Sequence, residues 1–388
     1  MAEERQLPLI SSAFLNVTQK CNLACKYCFV CQQPKEITYE VAQDAAKFLA
    51  RNALESGTRS SINFFGGEPM LRYNDIIKPL TEWIRDVYGD SFDLSLTTNG
   101  TLLTEEIMEF FDKNNIGMLF SIDGDKKTQD INRPYHSGKG SFESLEPVID
   151  LVLKYHPNMT FRATVDPPTH KELFNNYMFA VRKGYTNSFF IPNSFSDWSD
   201  KELEELDKEL DKICDYYIAE LKAGRKPMNF SHFDRARADI KRIAMLKDDD
   251  YREDGKGLPA CGRCGLGASR FAAIGITGNI YSCQEMVENP ELGDKFKIGN
   301  IYDGIDDEKR LELVNSFDTQ NAVCSKKEYC DDCIKRRICD GGCSINNFFK
   351  NKDLHVQDYV MCWYERACIE KVYKIMKLEK EGELKWQI

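Results

Sequence analysis

No run of about 18 consecutive apolar residues occurs in the 388-residue chain, so no membrane-spanning helix is expected. Positive charge is in deficit: 52 Lys and Arg stand against 62 Asp and Glu, a net charge of −10. General nucleic-acid binding needs basic patches, and this balance argues against it. A secretion signal is missing too, because Met1–Arg5 is polar and acidic with no apolar h-region. A cytoplasmic location is therefore expected. Cysteine is too sparse for a disulfide scaffold: 15 residues are about 4%, below the usual 8–10%, and the count is odd. In a reducing cytosol disulfides are rare, so clustered cysteines read as metal ligands. Hydrophobic content of 42% and charged content of 29% are those of an ordinary globular protein with room for two or three domains.

From residue 12 to about 222 one pattern repeats: a short apolar strand, a turn, an amphipathic helix. Strands are expected at Ser12–Val17, Ser61–Phe65, Phe92–Leu96, Gly117–Ser121, Thr160–Val165 and Ser188–Ile191. Helices are expected near Tyr39–Glu55, Asp75–Tyr88, Glu105–Asn114, Phe142–Tyr155, Lys171–Lys183 and Asp200–Ala223, with a long loop between Gly124 and Gly140. Six alternating units predict an α/β fold, an open, partial (β/α)6 barrel with its chemistry at the carboxyl ends of the strands. In the last of these helices Leu203, Leu206, Leu210, Ile213, Tyr217 and Leu221 form one apolar stripe. Cys214 falls on it and reads as a core thiol. Residues 224–260 are polar, with a helix near 232–246 and an acidic run that reads as a solvated loop. Cysteines crowd the chain from Cys261 onward. There a hairpin is expected over Phe271–Tyr281, with a closing helix from Trp363 to about Lys380.

Two cysteine groups carry the chemistry. Cys21, Cys25 and Cys28 are spaced to hold three irons of a [4Fe–4S] cube and leave one corner open for a small molecule. Cys31 offers a competing reading. It could close that cube, or continue Cys25 and Cys28 as part of a ferredoxin-like run that would want a cysteine where Lys35 stands. Short turns at other strand ends gather on the same rim: Gly66-Gly67-Glu68-Pro69, Asn99-Gly100 and Asp123-Gly124. Taken singly, the last two also fit plain turn chemistry.

With Tyr27 before the third cysteine and Gly-Gly-Glu-Pro after the second strand, the chain resembles the radical S-adenosylmethionine (SAM) enzymes. The resemblance implies that Cys21, Cys25 and Cys28 ligate the cluster and that SAM chelates the open iron. A 5′-deoxyadenosyl radical then takes a hydrogen atom from substrate. Gly66, Gly67 and Glu68 would receive the methionine amino group, with Tyr27 beside the cluster. Asn99, Ser121 and Asp123 would lie near ribose and methionine, and Arg133 would meet the SAM carboxylate.

The second array runs Cys264-x13-Gly278-x4-Cys283, then Cys330-x2-Cys333-x5-Cys339-x3-Cys343, then Cys362. It resembles the SPASM extension, which holds two auxiliary [4Fe–4S] clusters. A pair of structural zinc sites is the bland alternative. On the resemblance, Cys330, Cys333, Cys339 and Cys362 would hold the outer cluster, and Cys264, Cys283 and Cys343 the inner one. Cys261 is a candidate fourth ligand, and without it a substrate thiolate could take the open iron. Cys31, Cys324 and Cys368 read as incidental thiols. The implied domains are a radical SAM barrel at 1–225, a bridging segment at 226–260 and a SPASM-like domain at 261–388.

Within this family two branches compete. The texture around Cys21, Gly66 and Cys283 is similar to maturases of Cys-rich, ribosomally made peptides, which join a Cys sulfur to carbon as a thioether. The other branch makes formylglycine in sulfatases. There an Asp base is expected directly after the cysteine equivalent to Cys283, and here Gln284 stands in its place, with Glu285 next. A non-enzymatic multi-cluster electron carrier is a third reading. Expected partners are a Cys-rich precursor peptide and an electron donor such as flavodoxin or ferredoxin, with no nucleic acid and no membrane. Only twenty residues precede Cys21, so no leader-binding domain is expected there.

Overall fold

The structure is a computed structural model that describes residues 7–246, 266–318 and 321–386. Its first half alternates strand and helix: β1 (Ser12–Thr18), α1 (Tyr39–Ser56), β2 (Ser60–Gly66), α2 (Lys78–Tyr88), β3 (Phe92–Thr98), α3 (Glu105–Lys113) and β4 (Ile116–Phe120). Two helices, α4 (Lys126–Asn132) and α5 (Phe142–Tyr155), precede β5 (Thr160–Val165), α6 (Leu173–Lys183), β6 (Asn187–Pro192) and α7 (Asp200–Lys222). Strands β1 to β4 pair in parallel in that order, as do β5 and β6. A parallel bridge between Ser121 and Arg162 carries the pairing from β4 to β5.

The strand pattern explains the layers. Buried and half-buried residues alternate in β2, β5 and β6. One face, with Ile62, Phe64, Phe161, Ala163 and Phe190, is sealed under the helices. The other face carries Asn63, Phe65, Arg162, Thr164, Phe189 and Ile191 and is only half-buried. Parallel sheets covered on both faces read as continuous apolar runs, and these strands do not. A cavity of about 770 Å³, lined in part by Leu119, Arg162 and Phe189, lies where β4 and β5 separate.

The rest of the chain wraps this sheet. After β7 (Asn229–Phe230) and α8 (Ser231–Met245) come β8 (Phe271–Ile274), β9 (Asn279–Tyr281), β10 (Lys297–Asn300), β11 (Gly304–Ile305) and α9 (Asp307–Asn315). The expected hairpin is present, with Gly275 and Asn279 closing the turn between antiparallel β8 and β9. Strand β8 also pairs in parallel with β1 and joins the hairpin to the first sheet, an eight-stranded array in all. Buried Arg310 holds this junction by donating to the carbonyls of Pro8, Gly267 and Ser269. The chain ends with β12 (Val323–Cys324), α10 (Ser344–Asn351), β13 (Val356–Gln357) and α11 (Tyr359–Lys380). Cys214 is buried, its thiol donating to the Lys371 carbonyl of α11 at 3.5 Å.

The loop expected from Gly124 to Gly140 is corrected in part. Asp125 caps α4 by accepting from Thr128 N at 3.2 Å. Seven residues are too few for an apolar period to show.

Candidate active site

The loop after β1 carries Cys21, Cys25, Tyr27 and Cys28, and it is sewn down on two sides. The Gly-Gly-Glu-Pro turn after β2 takes one side: Gly67 N donates to Thr18 O and Glu68 N to Lys20 O, both at 2.8 Å. Neither glycine leaves room for a side chain, since a Cβ would lie 2.0 Å from Thr18 O at Gly66 and 2.2 Å from Lys20 O at Gly67. The segment after α4 takes the other side. Ala24 N donates to Pro134 O at 2.8 Å, Lys26 N to Asn132 O at 3.1 Å, and the His136 ring contacts Cys21 O.

Asp123 is the hub of the polar network, fully buried just past β4. Its carboxylate accepts from the Tyr27 hydroxyl, from Asn132 Nδ2 at 3.2 Å, from Arg133 Nη2 at 3.1 Å and from Thr164 N at 3.0 Å. The Arg133 guanidinium also lies over the Tyr27 ring at 5.3 Å. Its Nε is buried with no partner among the described residues. Ser121 bridges to β5, its N–H donating to Thr98 O at 3.0 Å.

Glu68 is placed differently from the implied role. Its carboxylate accepts from Met70 N at 3.0 Å, from Thr98 Oγ1 at 2.7 Å and from Asn99 N at 2.7 Å. The group therefore fixes the end of β3 rather than presenting an open face. Burial pushes its pKa up to about 7, against the pull of those donors. Asn99, so fixed, points its amide at Asn22 Oδ1 at 2.8 Å and at Cys21 Sγ at 3.8 Å. Thr101 donates back to Asn99 and accepts from Asn22. Gly100 has φ +78°, and a Cβ there would strike the Phe120 ring, so the turn reading of Asn99-Gly100 also holds.

These residues suit a cationic cluster and a carboxylate-bearing cofactor. Burial pushes the Cys21 thiol up to about 12, with the charges of Cys25 and Cys28 adding to it, and Cys25 up to about 11, where the Arg133 cation pulls down against Cys28 and Asp123. Thiolates massed against one another and beside buried carboxylates need an added positive charge, which bound iron supplies. The buried Arg133 Nε has no partner among the described residues and is a donor open to a bound group. Cys31 sits at the loop's far end, where its sulfur accepts from Gln33.

The second cysteine group is partly gathered. Cys324 N donates to Cys330 Sγ at 3.1 Å, and Gly341 N to Cys339 Sγ at 3.4 Å. The Cys362 sulfur is hydrogen-bonded to that of Cys324 and feels the charge of Cys339. Cys333 lies one turn from Cys330, bonded N–H to carbonyl at 3.2 Å. A zinc tetrahedron or an iron–sulfur cube would gather such groups round one point. Among the described residues no three His, Cys, Asp or Glu side chains are gathered so. Cys283 is buried after β9 and Cys343 is exposed at the start of α10. Cys261 and Cys264 lie outside the described residues.

Sequence reasoning gave no role to Asn22, Thr98, Asn132 and Thr164, which the structure brings into the network around Cys21, Glu68 and Asp123. Asn132 and Thr98 are both fully buried here, but each stands in a polar stretch, Asp130-Ile131-Asn132-Arg133 and Thr97-Thr98-Asn99, so nothing local in the sequence marked them.

The radical SAM superfamily matches residues 15–179 of the chain. A cysteine-type anaerobic sulfatase-maturating enzyme of Clostridium novyi is 25% identical over 372 residues, 91% of this chain and 92% of the relative. The solved structure of native anSMEcpe with bound AdoMet and Cp18Cys peptide superposes with a TM-score of 0.72 at 22% identity, over 96% of this chain and 99% of that one. Streptococcus suis SuiB bound to precursor peptide SuiA gives 0.60 at 17% identity, over 91% and 76%. The fold of the two solved proteins is thus the fold of this chain. No helix among the described residues is long and apolar enough to cross a membrane. The chain belongs to the radical SAM superfamily, whose enzymes use a [4Fe–4S] cluster and S-adenosylmethionine.

Proposed function

We propose that the chain matures a ribosomally made, Cys-rich peptide by joining a cysteine sulfur to carbon. The observation that carries the radical step is the rim constellation: Cys21, Cys25 and Cys28 beside Asp123, Tyr27 and Arg133, with a buried guanidinium N–H unpartnered among the described residues. When bound, the cluster and SAM supply a carbon-centred radical that removes a hydrogen atom from substrate. The chain's own residues orient and enclose. Arg133 would hold the cofactor carboxylate, Asp123 would keep Arg133 and Tyr27 in place, and Asn99 would cover Cys21. The half-buried inner face of the strands leaves room for a peptide segment.

Forming the thioether turns S–H and C–H into S–C with loss of two hydrogens. One leaves as the abstracted atom. The other leaves as a proton and an electron, so an electron acceptor is required. The cysteines of the 324–362 region, together with Cys283, Cys343 and the two outside the described residues, are the proposed holders of two such acceptor clusters. Gln284 supports this reading over formylglycine, because it follows Cys283 and cannot take a proton.

Two observations favour the formylglycine reading. The Clostridium novyi relative is matched over nearly its whole length, and Glu285 is a carboxylate beside Gln284 whose Oε2 is buried without a partner among the described residues.

Anaerobic reconstitution, reduction and addition of SAM should release 5′-deoxyadenosine, and its absence with intact clusters would overturn the radical reading. Co-expression with a neighbouring Cys-rich peptide should then lower the peptide's mass by two hydrogens and protect one cysteine from alkylation. An aldehyde captured by hydrazide would select formylglycine instead.

A further inference from the structure

Arg162 is held in place but not neutralised. It stands on the half-buried inner face of β5, beside β4 through the Ser121–Arg162 bridge. Its guanidinium lies over the Phe189 ring at 4.9 Å, and Phe189 is itself stacked on His232 at 4.8 Å. Its Nη1 donates to Ala163 O at 3.1 Å. A guanidinium has several more donors to satisfy, and this one forms no ion pair among the described residues. Asp123 is close enough to be felt, but its oxygens already accept from Tyr27, Asn132, Arg133 and Thr164. Burial first, then the Arg133 cation, pushes the Arg162 pKa down, as befits a cation short of counter-charge.

Arg162 also lines the cavity of about 770 Å³ between β4 and β5, with Met118, Leu119, Met159 and Phe189 among its neighbours there and no carboxylate on the described wall. His156 lines it too, but burial pushes its pKa down and keeps it neutral. Apolar walls with one well-placed polar group are the usual form of a binding pocket. Thr164, two residues further along the same face, donates to Asp123 at the rim, so Arg162 stands about 7 Å below that level.

We propose that Arg162 receives a carboxylate of the substrate, an acidic side chain or the C-terminal carboxylate of a peptide segment that enters this cavity. The inference rests on the reading that the chain modifies a peptide, and it adds what that peptide must carry. Charge complementarity selects the occupant. A guanidinium offers paired N–H donors to a carboxylate, and the pairing gains strength away from water. A neutral or basic segment would bury the cation without a partner.

The test uses the reconstituted full chain and three probes. N-acetyl-glutamate α-amide carries only an acidic side chain, N-acetyl-leucine only a terminal carboxylate, and N-acetyl-glutamine amide neither. Binding is followed anaerobically by saturation-transfer NMR in wild type, Arg162→Met, Arg162→Gln and Arg162→Lys, with urea unfolding to identify the folded variants. Met and Gln remove the charge in an apolar and a polar form, so one folded variant suffices, and Lys keeps the charge without the fork. Wild type should bind at least one carboxylate probe about tenfold or more tighter than the neutral one. Which probe it prefers separates the side chain from the C-terminus. The preference should vanish in Arg162→Met and Arg162→Gln and survive in part in Arg162→Lys. Equal binding of the three probes by wild type would overturn the proposal, and so would an undiminished preference in a folded variant without the charge. S-adenosylmethionine affinity is measured alongside by equilibrium dialysis. A fall of about tenfold in the Met and Gln variants would assign Arg162 to the cofactor carboxylate and overturn the proposal too. A preference that depends on Arg162 while co-expressed peptides stay unmodified would leave the carboxylate site standing and overturn the maturation reading alone.

Discussion

Arg133 Nη2 lies 3.1 Å from Asp123 Oδ1, and the carboxylate is fully buried while the guanidinium is 11% exposed. Breaking a buried pair by removing one partner leaves an uncompensated charge and typically costs about 3–5 kcal/mol. Asp123 also anchors Tyr27, Asn132 and Thr164. Asp123→Ala should therefore destabilise the protein by about that amount in urea unfolding. Arg133→Met combined with it should recover part of the loss, because the stranded cation is gone. Both variants should release at least about tenfold less 5′-deoxyadenosine from SAM, which corresponds to about 1.4 kcal/mol of lost stabilisation. An Asp123→Ala protein with wild-type turnover would remove Asp123 from the site.

His232 sets a second expectation. It starts α8, stacks on Phe189 at 4.8 Å and meets the edge of Tyr364 at 4.9 Å. Burial first, then the charges of Arg235, Arg162 and Lys335, push its pKa down to about 3. The unfolded chain binds a proton near pH 6.5 and the native chain does not, so stability is present above that value and lost as pH falls toward 3. Between pH 7.5 and pH 5 this one group should take away about 2 kcal/mol. His232→Phe keeps an aromatic ring and cannot titrate. Relative to wild type, it should gain about 2 kcal/mol on going from pH 7.5 to pH 5. Parallel stability curves over that range would show that His232 accepts a proton without unfolding.

The contrast between these residues shows what was legible in the sequence. The strands, most of the helices and the cysteine spacings could be read, because period and turn chemistry are local. Helix α4 escaped because a seven-residue helix shows no period. Asn132, at its end, escaped with it. The engagement of Glu68 by Thr98 and Asn99 depends on parallel pairing of β2 with β3, which fixes register across more than thirty residues. Cys324 was hidden for the same reason: the short pairing of β12 with β13 carries it to Cys362.

Lys335 joins the cysteine-rich segment to the helical layer. Its ammonium lies 2.9 Å from Asp239 of α8 and 2.7 Å from Glu365 of α11, and is mostly buried between them. The two carboxylates raise its pKa against the opposing effect of burial. Lys335→Met would leave two like charges facing each other. Both acids are about a fifth exposed, so the cost should fall at or below the lower end for a buried pair, up to about 3 kcal/mol. Since Lys335 stands between Cys333 and Cys339, the reconstituted variant should also lose iron to a chelator several-fold faster than wild type. Equal rates with a lowered stability would confine its role to packing α8 against α11.

Gly67 offers the sharpest test of the rim. Its N–H donates to Thr18 O, the next N–H donates to Lys20 O, and Lys20 precedes the first cysteine. A Cβ at Gly67 would lie 2.2 Å from Lys20 O and 2.9 Å from Gln19 O. Those atoms are backbone, so relief requires moving the cysteine loop itself. Gly67→Ala should cost about 1–3 kcal/mol of stability, the usual range for overpacking. It should also lower the iron held by the first cluster, measured in a protein whose C-terminal cysteines are replaced. Gly57→Ala is the control: at φ +63° after α1 it strains the backbone but meets nothing within 4 Å. It should lose about 1 kcal/mol and keep its iron. If Gly67→Ala also kept full iron and full 5′-deoxyadenosine release, the close approach of the two loops would not be what holds Cys21 in place.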